Sequence, residues 1–475
     1  MTHDRTLDQT LGAQRTAFLA ELPVTAAVRK DRLTRAAAMI RDHATRFCDA
    51  MSEDFGHRSR EQSMLTDIAA SISPIRHALR HVDRWMARER RSVPFPLGLL
   101  GAKAWVDYQP KGVVGVIAPW NFPVNLAMAP VAGAFAAGNR VMVKTSEFTP
   151  ATGAAFEDVA PRYFAREELA FVSGGPDVGQ AFAALPFDHL LFTGATGIGR
   201  HILRAAADNL TPVTLELGGK SPAIIGAGAD IARAAERIAM GKMTNAGQIC
   251  LAPDYALVPA AQEQALVDGL TQAASTMYPT LIGNPDYTAV VNDRHHRRLT
   301  EWLDDARAKG ARIDVVNPAG EDFAGTNTRK MPLHLVRDVT DDMVLMQEEI
   351  FGPILPIVRY ERIDAAIDRI NRGLRPLGLY HFGSDTAERQ RVLDRTISGG
   401  VTLGDVVLHV LMEDLPFGGI GPSGMGSYHG IDGFRTFSHA KAVFRQSRFD
   451  VAKIAGVKPP YGKALSAILR RETKL

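Results

Sequence analysis

Two residue settings in this chain carry reactive chemistry. The thiol of Cys250 closes the run Thr244-Asn245-Ala246-Gly247-Gln248-Ile249-Cys250, and upstream of it Glu216 lies in Leu215-Glu216-Leu217-Gly218-Gly219-Lys220. A thiol beside small and amide residues, with a separate carboxylate embedded in a Gly-rich turn, fits a covalent nucleophile with its own general base. Taken alone, the thiol suits equally well a small buried hydrophobe, a common fate of free cysteines. The only other cysteine, Cys48, lies next to an amphipathic helical stripe and reads as helix packing.

Two further motifs supply what such a nucleophile would need. Pro119-Trp120-Asn121-Phe122-Pro123 directly follows an apolar run, so the Asn121 carboxamide sits where a strand end can aim a donor into a crevice. With the Cys250 backbone N–H it could bind an oxyanion; a turn asparagine is the alternative. Phe192-Thr193-Gly194-Ala195-Thr196-Gly197-Ile198-Gly199 runs from a strand into a helix. Small residues there let backbone N–H groups and a helix N-terminus approach a pyrophosphate, although the spacing departs from G-x-G-x-x-G and a ligand-free tight turn fits as well.

The elements that must hold these residues follow from periodicity. Residues from about 11 to 89 read as helices, with Leu33, Ala36, Ala37, Ile40, Ala44 and Phe47 at amphipathic spacing. Pro94, Pro96, Gly98 and Gly101 break that pattern before an extended stretch over 105–109. Continuous apolar strands are expected at 113–118, 140–144, 189–194 and 212–217, the first followed by a helix that Pro123 opens and that closes near Gly138-Asn139. Helical stretches are expected around 151–164 and 177–184. This alternation predicts a parallel doubly wound sheet. A second run of β and α segments extends from about 221 to 415, a Gly-rich stretch covers 418–430, and the last 25 or so residues show no strong periodicity.

Composition narrows the class. A chain of 475 residues is too long for one core, and 46% hydrophobic with 23% charged residues is ordinary for a soluble globular protein. A net charge of +3, with 55 basic and 52 acidic residues intermixed, leaves no footprint for nucleic acid. Two cysteines make no disulfide framework, and a nucleophilic thiol must stay reduced, which fits a cytoplasmic location. The N-terminus lacks an apolar signal region, and 93–102 is too short to span a bilayer.

Seven co-linear stretches then acquire a joint meaning. Pro119–Pro123, Lys144-Thr145-Ser146-Glu147, Phe192-Thr193-Gly194, Leu215–Pro222, Gly247–Cys250, Glu348-Glu349-Ile350-Phe351-Gly352-Pro353 and Pro416-Phe417-Gly418-Gly419 together resemble the NAD(P)-dependent aldehyde dehydrogenase superfamily over nearly the whole chain. Asp54–Ser59, Cys250–Tyr255, Gly424–Gly430 and Phe437-Ser438-His439 are similar to its class 3 branch, and within it to coniferyl aldehyde dehydrogenases.

The resemblance implies an α/β fold with a Rossmann-like NAD-binding domain (1–91 and 112–217) and an α/β catalytic domain (218–415). Oligomerisation elements would cover 92–111 and 438–455, a Gly-rich return segment 416–437 and a tail 456–475, with a homodimer as the assembly. It implies Cys250 as nucleophile, Glu216 as general base and Asn121 in the oxyanion hole. Lys144 and Glu147 would face the adenosine ribose; Gly194, Ala195, Thr196, Gly197, Ile198 and Gly199 the pyrophosphate; Glu349 and Phe351 the nicotinamide ribose and ring. Trp120 and Leu217 complete the implied cofactor contacts, and no metal is implied. Glu147 favours NAD, because a carboxylate accepts from a 2′-OH and repels a 2′-phosphate; NADP remains possible through Lys144. Thr145, Ile249 and Gly404 depart from the family's usual residues, and the last puts the exact substrate in question.

The implied chemistry is oxidation of an aldehyde to the acid through a thiohemiacetal and a thioester. Aryl or cinnamyl aldehydes such as coniferyl aldehyde, giving ferulate, are the expected substrates, with long-chain or generic aliphatic aldehydes as the alternative. Acyl transfer to coenzyme A or ester hydrolysis would use the same thioester, but water activation by Glu216 would waste it in the former. A catalytically silent binding protein on the same fold is the reading from another class.

Overall fold

Three sheets organise the computed structural model, which describes residues 2–95, 97–454 and 456–473. Met1, Pro96, Ala455, Lys474 and Leu475, which fall in or at the ends of the expected segments, lie outside the described residues.

The first sheet has Val113–Ile117 near its centre. Arg140–Lys144 and then Leu169–Val172 lie on one side; His189–Gly194, Val213–Leu217 and Gly424–Met425 lie on the other. Every pairing is parallel except the last. Val113, Val114 and Val116 are fully buried, as strands covered on both faces require. The strand order reverses between Val113–Ile117 and His189–Gly194, so the crevice of a doubly wound sheet opens beyond their C-terminal ends. Trp120 and Asn121 follow the first of these strands, and Gly194 to Thr196 follow the second.

The helix after the central strand spans Asn125–Ala137 and ends at Gly138, whose φ of +91° forms a left-handed cap. It begins two residues later than Pro123 predicts. The carboxylate of Asp67 accepts from the backbone N–H groups of Val124 and Asn125, so a tertiary acceptor sets the first turn.

The second sheet has seven strands, in the order Arg312–Val316, Leu333–Arg337, Ile354–Tyr360, Tyr255–Pro259, Pro222–Ile225, Gly378–Phe382 and Gly400–Leu403. Only the first pair is antiparallel. The third sheet pairs Glu89–Arg91 with Lys103–Pro110, and Lys103–Pro110 with Ser438–Arg445, all antiparallel.

The helical N-terminal region begins at Thr2, runs to Trp85, and contains one π turn over Met64–Ala69. Cys48 is 3% exposed among Phe47, Met51 and the neighbouring core. The sequence pattern did not show the strands Leu169–Val172 and Glu89–Arg91, nor a helix over Lys463–Glu472. The residues of that helix are mostly strong helix formers, and its short apolar stripe of Leu465, Ile468 and Leu469 packs on no core, since none of its residues is buried. Among the described residues no helix is long and apolar enough to cross a membrane.

Candidate active site

Glu216 is the penultimate residue of Val213–Leu217, in a strand rather than in the Gly-rich turn that follows. Its strand is completed on the outer side by Gly424–Met425, in the register Gly424 opposite Glu216. Gly424 has a φ of +148°, and a Cβ there would stand 2.3 Å from the Leu215 carbonyl oxygen, so only glycine allows this approach. The Glu216 side chain is 3% exposed, and neither carboxyl oxygen has a hydrogen-bond partner among the described residues. Burial pushes its pKa well above the ordinary carboxylate range.

Cys250 follows a short 3-10 turn, Thr244–Gly247, in which Asn245, Ala246 and Gly247 all have left-handed backbone angles. The loop is held in this costly shape by buried amides. Gln62 Oε1 accepts from the Asn245 N–H at 2.8 Å, and Gln248 Oε1 accepts from the Val291 N–H at 2.9 Å. Gln248 Nε2 donates to the carbonyls of Asn245 and Ala289. The thiol so presented is partly exposed and packs against a core cluster that includes Phe417 and Tyr428. Dense surroundings push it up to about 12: burial dominates, and the carboxyls of Glu349 and Glu216 add repulsion of a thiolate. The N–H groups of Cys250 and Leu251 act the other way by donating toward the sulfur.

Asn121 is 3% exposed and bridges the two loops. Its Nδ2 donates to the Gln248 carbonyl at 3.1 Å, the one acceptor it has among the described residues. One amide hydrogen is therefore anchored, and the second is left for a developing negative charge.

The cofactor positions form two groups. Helix Thr196–Ala207 starts directly after Gly194 and Ala195, and its first N–H groups have no intrahelical acceptor. Gly197 and Ile198 are exposed there, and a Cβ on Gly197 would meet nothing within 4 Å. Gly199 instead faces the sheet, where a Cβ would stand 3.0 Å from the buried Leu217. Lys144, at the end of its strand, donates to the carbonyls of Thr145 and Gly174, with Glu147 at 3.6 Å. Burial lowers the Lys144 pKa and Glu147 partly restores it. Glu147 lies on the wall of an open cleft of about 610 Å³ that also carries Glu53 and Asp54.

Glu349 and Phe351 come from the loop before Ile354–Tyr360. The Glu349 carboxyl lies against Gly218, is raised to about 8 chiefly by burial and then by Asp254, and keeps Oε1 unpartnered. Phe351 has a φ of +52° and its ring packs edge-on against Trp120 at 5.3 Å. Sequence reasoning did not single out the groups that set this loop. Arg298 donates to Ile350 O at 2.7 Å, Asp254 accepts from the Ile350 N–H at 2.9 Å, and Lys220 donates to Leu345 O and Glu348 O. His295 packs between Trp120 and Phe148. Asp254 and Lys220 lay inside quoted motifs, whereas nothing in the charged run around His295 and Arg298 marked them.

The folded chain thus brings one thiol, a buried and a half-buried carboxyl and an amide donor to the C-terminal edge of a doubly wound sheet, beside an open helix N-terminus. Residues 3–443 match the model of the aldehyde dehydrogenase family. The chain belongs to the aldehyde dehydrogenase family. This aldehyde dehydrogenase is 54% identical to the "probable coniferyl aldehyde dehydrogenase" of Caulobacter vibrioides, across 99% of this chain and 98% of that protein. It is 50% identical to the coniferyl aldehyde dehydrogenase of a Pseudomonas species, across 98% and 95%. Among solved structures, the substrate-bound state of Staphylococcus aureus AldH superposes with a TM-score of 0.90 at 34% identity, covering 98% of this chain and 99% of that one. The NAD+ complex of a Bacillus cereus aldehyde dehydrogenase gives 0.82 at 26% identity, covering 93% and 89%.

Proposed function

We propose that this aldehyde dehydrogenase oxidises aryl and cinnamyl aldehydes, such as coniferyl aldehyde to ferulate, using Cys250 as nucleophile, Glu216 as base and Asn121 as oxyanion donor. The observation that carries the reading is the convergence of a partly exposed thiol with a buried, unpartnered carboxyl and a half-committed amide. Cys250 adds to the carbonyl carbon, and the free amide hydrogen of Asn121 takes the developing oxyanion. NAD+, when bound, would supply the acceptor for the hydride that leaves this carbon as the C=O bond re-forms to give the Cys250 thioester. Glu216 then takes a proton from water that attacks the thioester; its raised pKa brings it toward the working range of a base.

The residues present fit that cofactor. The open N-terminus of Thr196–Ala207 suits a pyrophosphate, with Leu217 packed against Gly199, Glu349 against Gly218 and Phe351 on Trp120. Carboxylates at Glu147, Glu53 and Asp54 in one cleft disfavour a 2′-phosphate, which supports NAD over NADP. The NAD+ complex of the Bacillus cereus relative supports the same choice.

Aromatic substrates are supported by the two bacterial relatives' names. The homodimer is supported by exposed apolar residues on and beside the third sheet, Phe444, Phe95 and Leu99. A reduced thiol favours a cytoplasmic setting. The first sheet serves as the core of the NAD-binding domain over 1–91 and 112–217, and the second as that of the catalytic domain over 218–415.

The test is kcat/KM with NAD+ for coniferaldehyde, benzaldehyde and a medium-chain alkanal, in the native protein and in Cys250→Ala. Coniferaldehyde should lead and Cys250→Ala should be inactive. Steady turnover by Cys250→Ala, or a tenfold preference for the alkanal, would overturn the assignment.

A further inference from the structure

Asp54 lines the cleft described above, and four residues further on Arg58 enters a buried ion pair on the active-site side of the molecule. The side chains of Arg58 and Asp67 are both fully buried, and Arg58 Nη2 donates to Asp67 Oδ2 at 2.7 Å. The other Nη of the same guanidinium donates to the backbone carbonyl of Asn121 at 2.8 Å. Its plane is clamped between the rings of Phe55 and Phe122, with Cζ 4.7 and 5.3 Å from their centroids. Asp67 in turn lies in the π turn Met64–Ala69 and holds the N–H groups of Val124 and Asn125, just past Asn121.

We propose that Arg58 is a positioning residue for the oxyanion asparagine, fixing the Asn121 backbone from below so that its free amide hydrogen stays aimed at the reacting carbonyl; this rests on the aldehyde-oxidising reading. Asn121 O receives a second donor, Asn245 Nδ2 at 3.1 Å, from the loop that carries Cys250. One carbonyl oxygen therefore ties the asparagine to both the nucleophile loop and the buried ion pair. Burying two charges is expensive, and an apolar pair of similar volume is often at least as stable. What an apolar pair cannot do is donate to Asn121 O. A π turn, rare in helices and frequent at functional sites, is the local distortion that brings Asp67 to this place. Donors for developing charge lose their effect when displaced by about an ångström, which gives the clamp its catalytic consequence.

The test is a double-mutant cycle between Arg58→Lys and Asn121→Ala. Lysine keeps a positive charge for Asp67 but lacks the planar fork that reaches both acceptors. Arg58→Lys should lower kcat for the aldehyde by about tenfold with little change in KM, and the loss should shrink to less than about twofold when Asn121 is already alanine. Alkylation of Cys250 by iodoacetamide should keep its native rate in Arg58→Lys. If Arg58→Lys does not fold, Arg58→Met combined with Asp67→Leu replaces it and should show the same loss and the same dependence on Asn121. Native kcat in the folded variant, or an undiminished loss in the Asn121→Ala background, would overturn the proposal. Failure of the native protein to oxidise any aldehyde would instead refute the functional reading on which it rests.

Discussion

The clearest quantitative consequence of the site concerns the thiol before any substrate arrives. Cys250 is displaced from an ordinary value of 9.0 to about 12, by burial first and then by the Glu349 and Glu216 carboxyls. Near pH 7.5 an ordinary thiol is ionised to about 3%, whereas one at about 12 is ionised to roughly 0.003%. Alkylation of the ligand-free protein should therefore run about a thousandfold below that of a free cysteine at this pH. The assay is the rate of iodoacetamide labelling followed by intact mass across a pH series. It is run in Cys48→Ala, because Cys48 is the other free thiol and is itself raised to about 11.

The expected profile rises tenfold per pH unit beyond about 10 with no plateau. The Glu349→Gln variant adds a sign check. Glu349 titrates near 8, so below that pH it is neutral and its replacement should leave labelling unchanged. Above that pH its charge opposes the thiolate, and Glu349→Gln should label faster. A plateau with a midpoint below about 9, or an effect of Glu349→Gln confined to acid, would refute the electrostatic account of the site.

Other expectations concern single groups. Glu216→Gln should release one equivalent of NADH per site in a burst and then stall at the thioester, as stopped-flow absorbance can show; undiminished steady turnover would exclude Glu216 as the base. Asn121→Ala should lose about 10²–10³ in kcat while thermal unfolding stays near the native midpoint. Glu413, half-buried and raised to about 7 by burial, destabilises the native state as it ionises. Its folded pKa exceeds the unfolded value of about 4.5, so stability is full below 4.5 and falls as pH rises toward 7. Glu413→Gln should therefore gain about 1 kcal/mol or more on the native protein at pH 8 and nothing at pH 4, measured by urea unfolding.

The sequence revealed what has a local signature. Val113–Ile117 and its parallel neighbours were legible because strands buried on both faces write continuous apolar runs. The small-residue turn at Gly194 to Gly199 and the amide-rich approach to Cys250 were legible for the same reason. What was hidden is set by distant partners. No local pattern shows that Asp67 begins the helix after Asn121, or that Arg298 and Asp254 grip the Glu349 loop from two sides. Nor could spacing show the Glu349 carboxyl lying against Gly218. The helix over Lys463–Glu472 escaped because its apolar stripe is only Leu465, Ile468 and Leu469, too short to stand out after a Pro- and Lys-rich stretch.

The pairing of Gly424 with Glu216 has a further consequence for the order in which the first sheet is completed. The strand that carries Glu216 receives its outer neighbour from a segment roughly two hundred residues later in the chain. During synthesis the first sheet can assemble from its five parallel strands while that edge stays open to solvent. The backbone of that strand gains its second neighbour only after the return segment has been made and docked. A nascent chain halted before residue 424 would hold the five parallel strands with the Glu216 edge unpaired, so this sheet is completed only by the return segment.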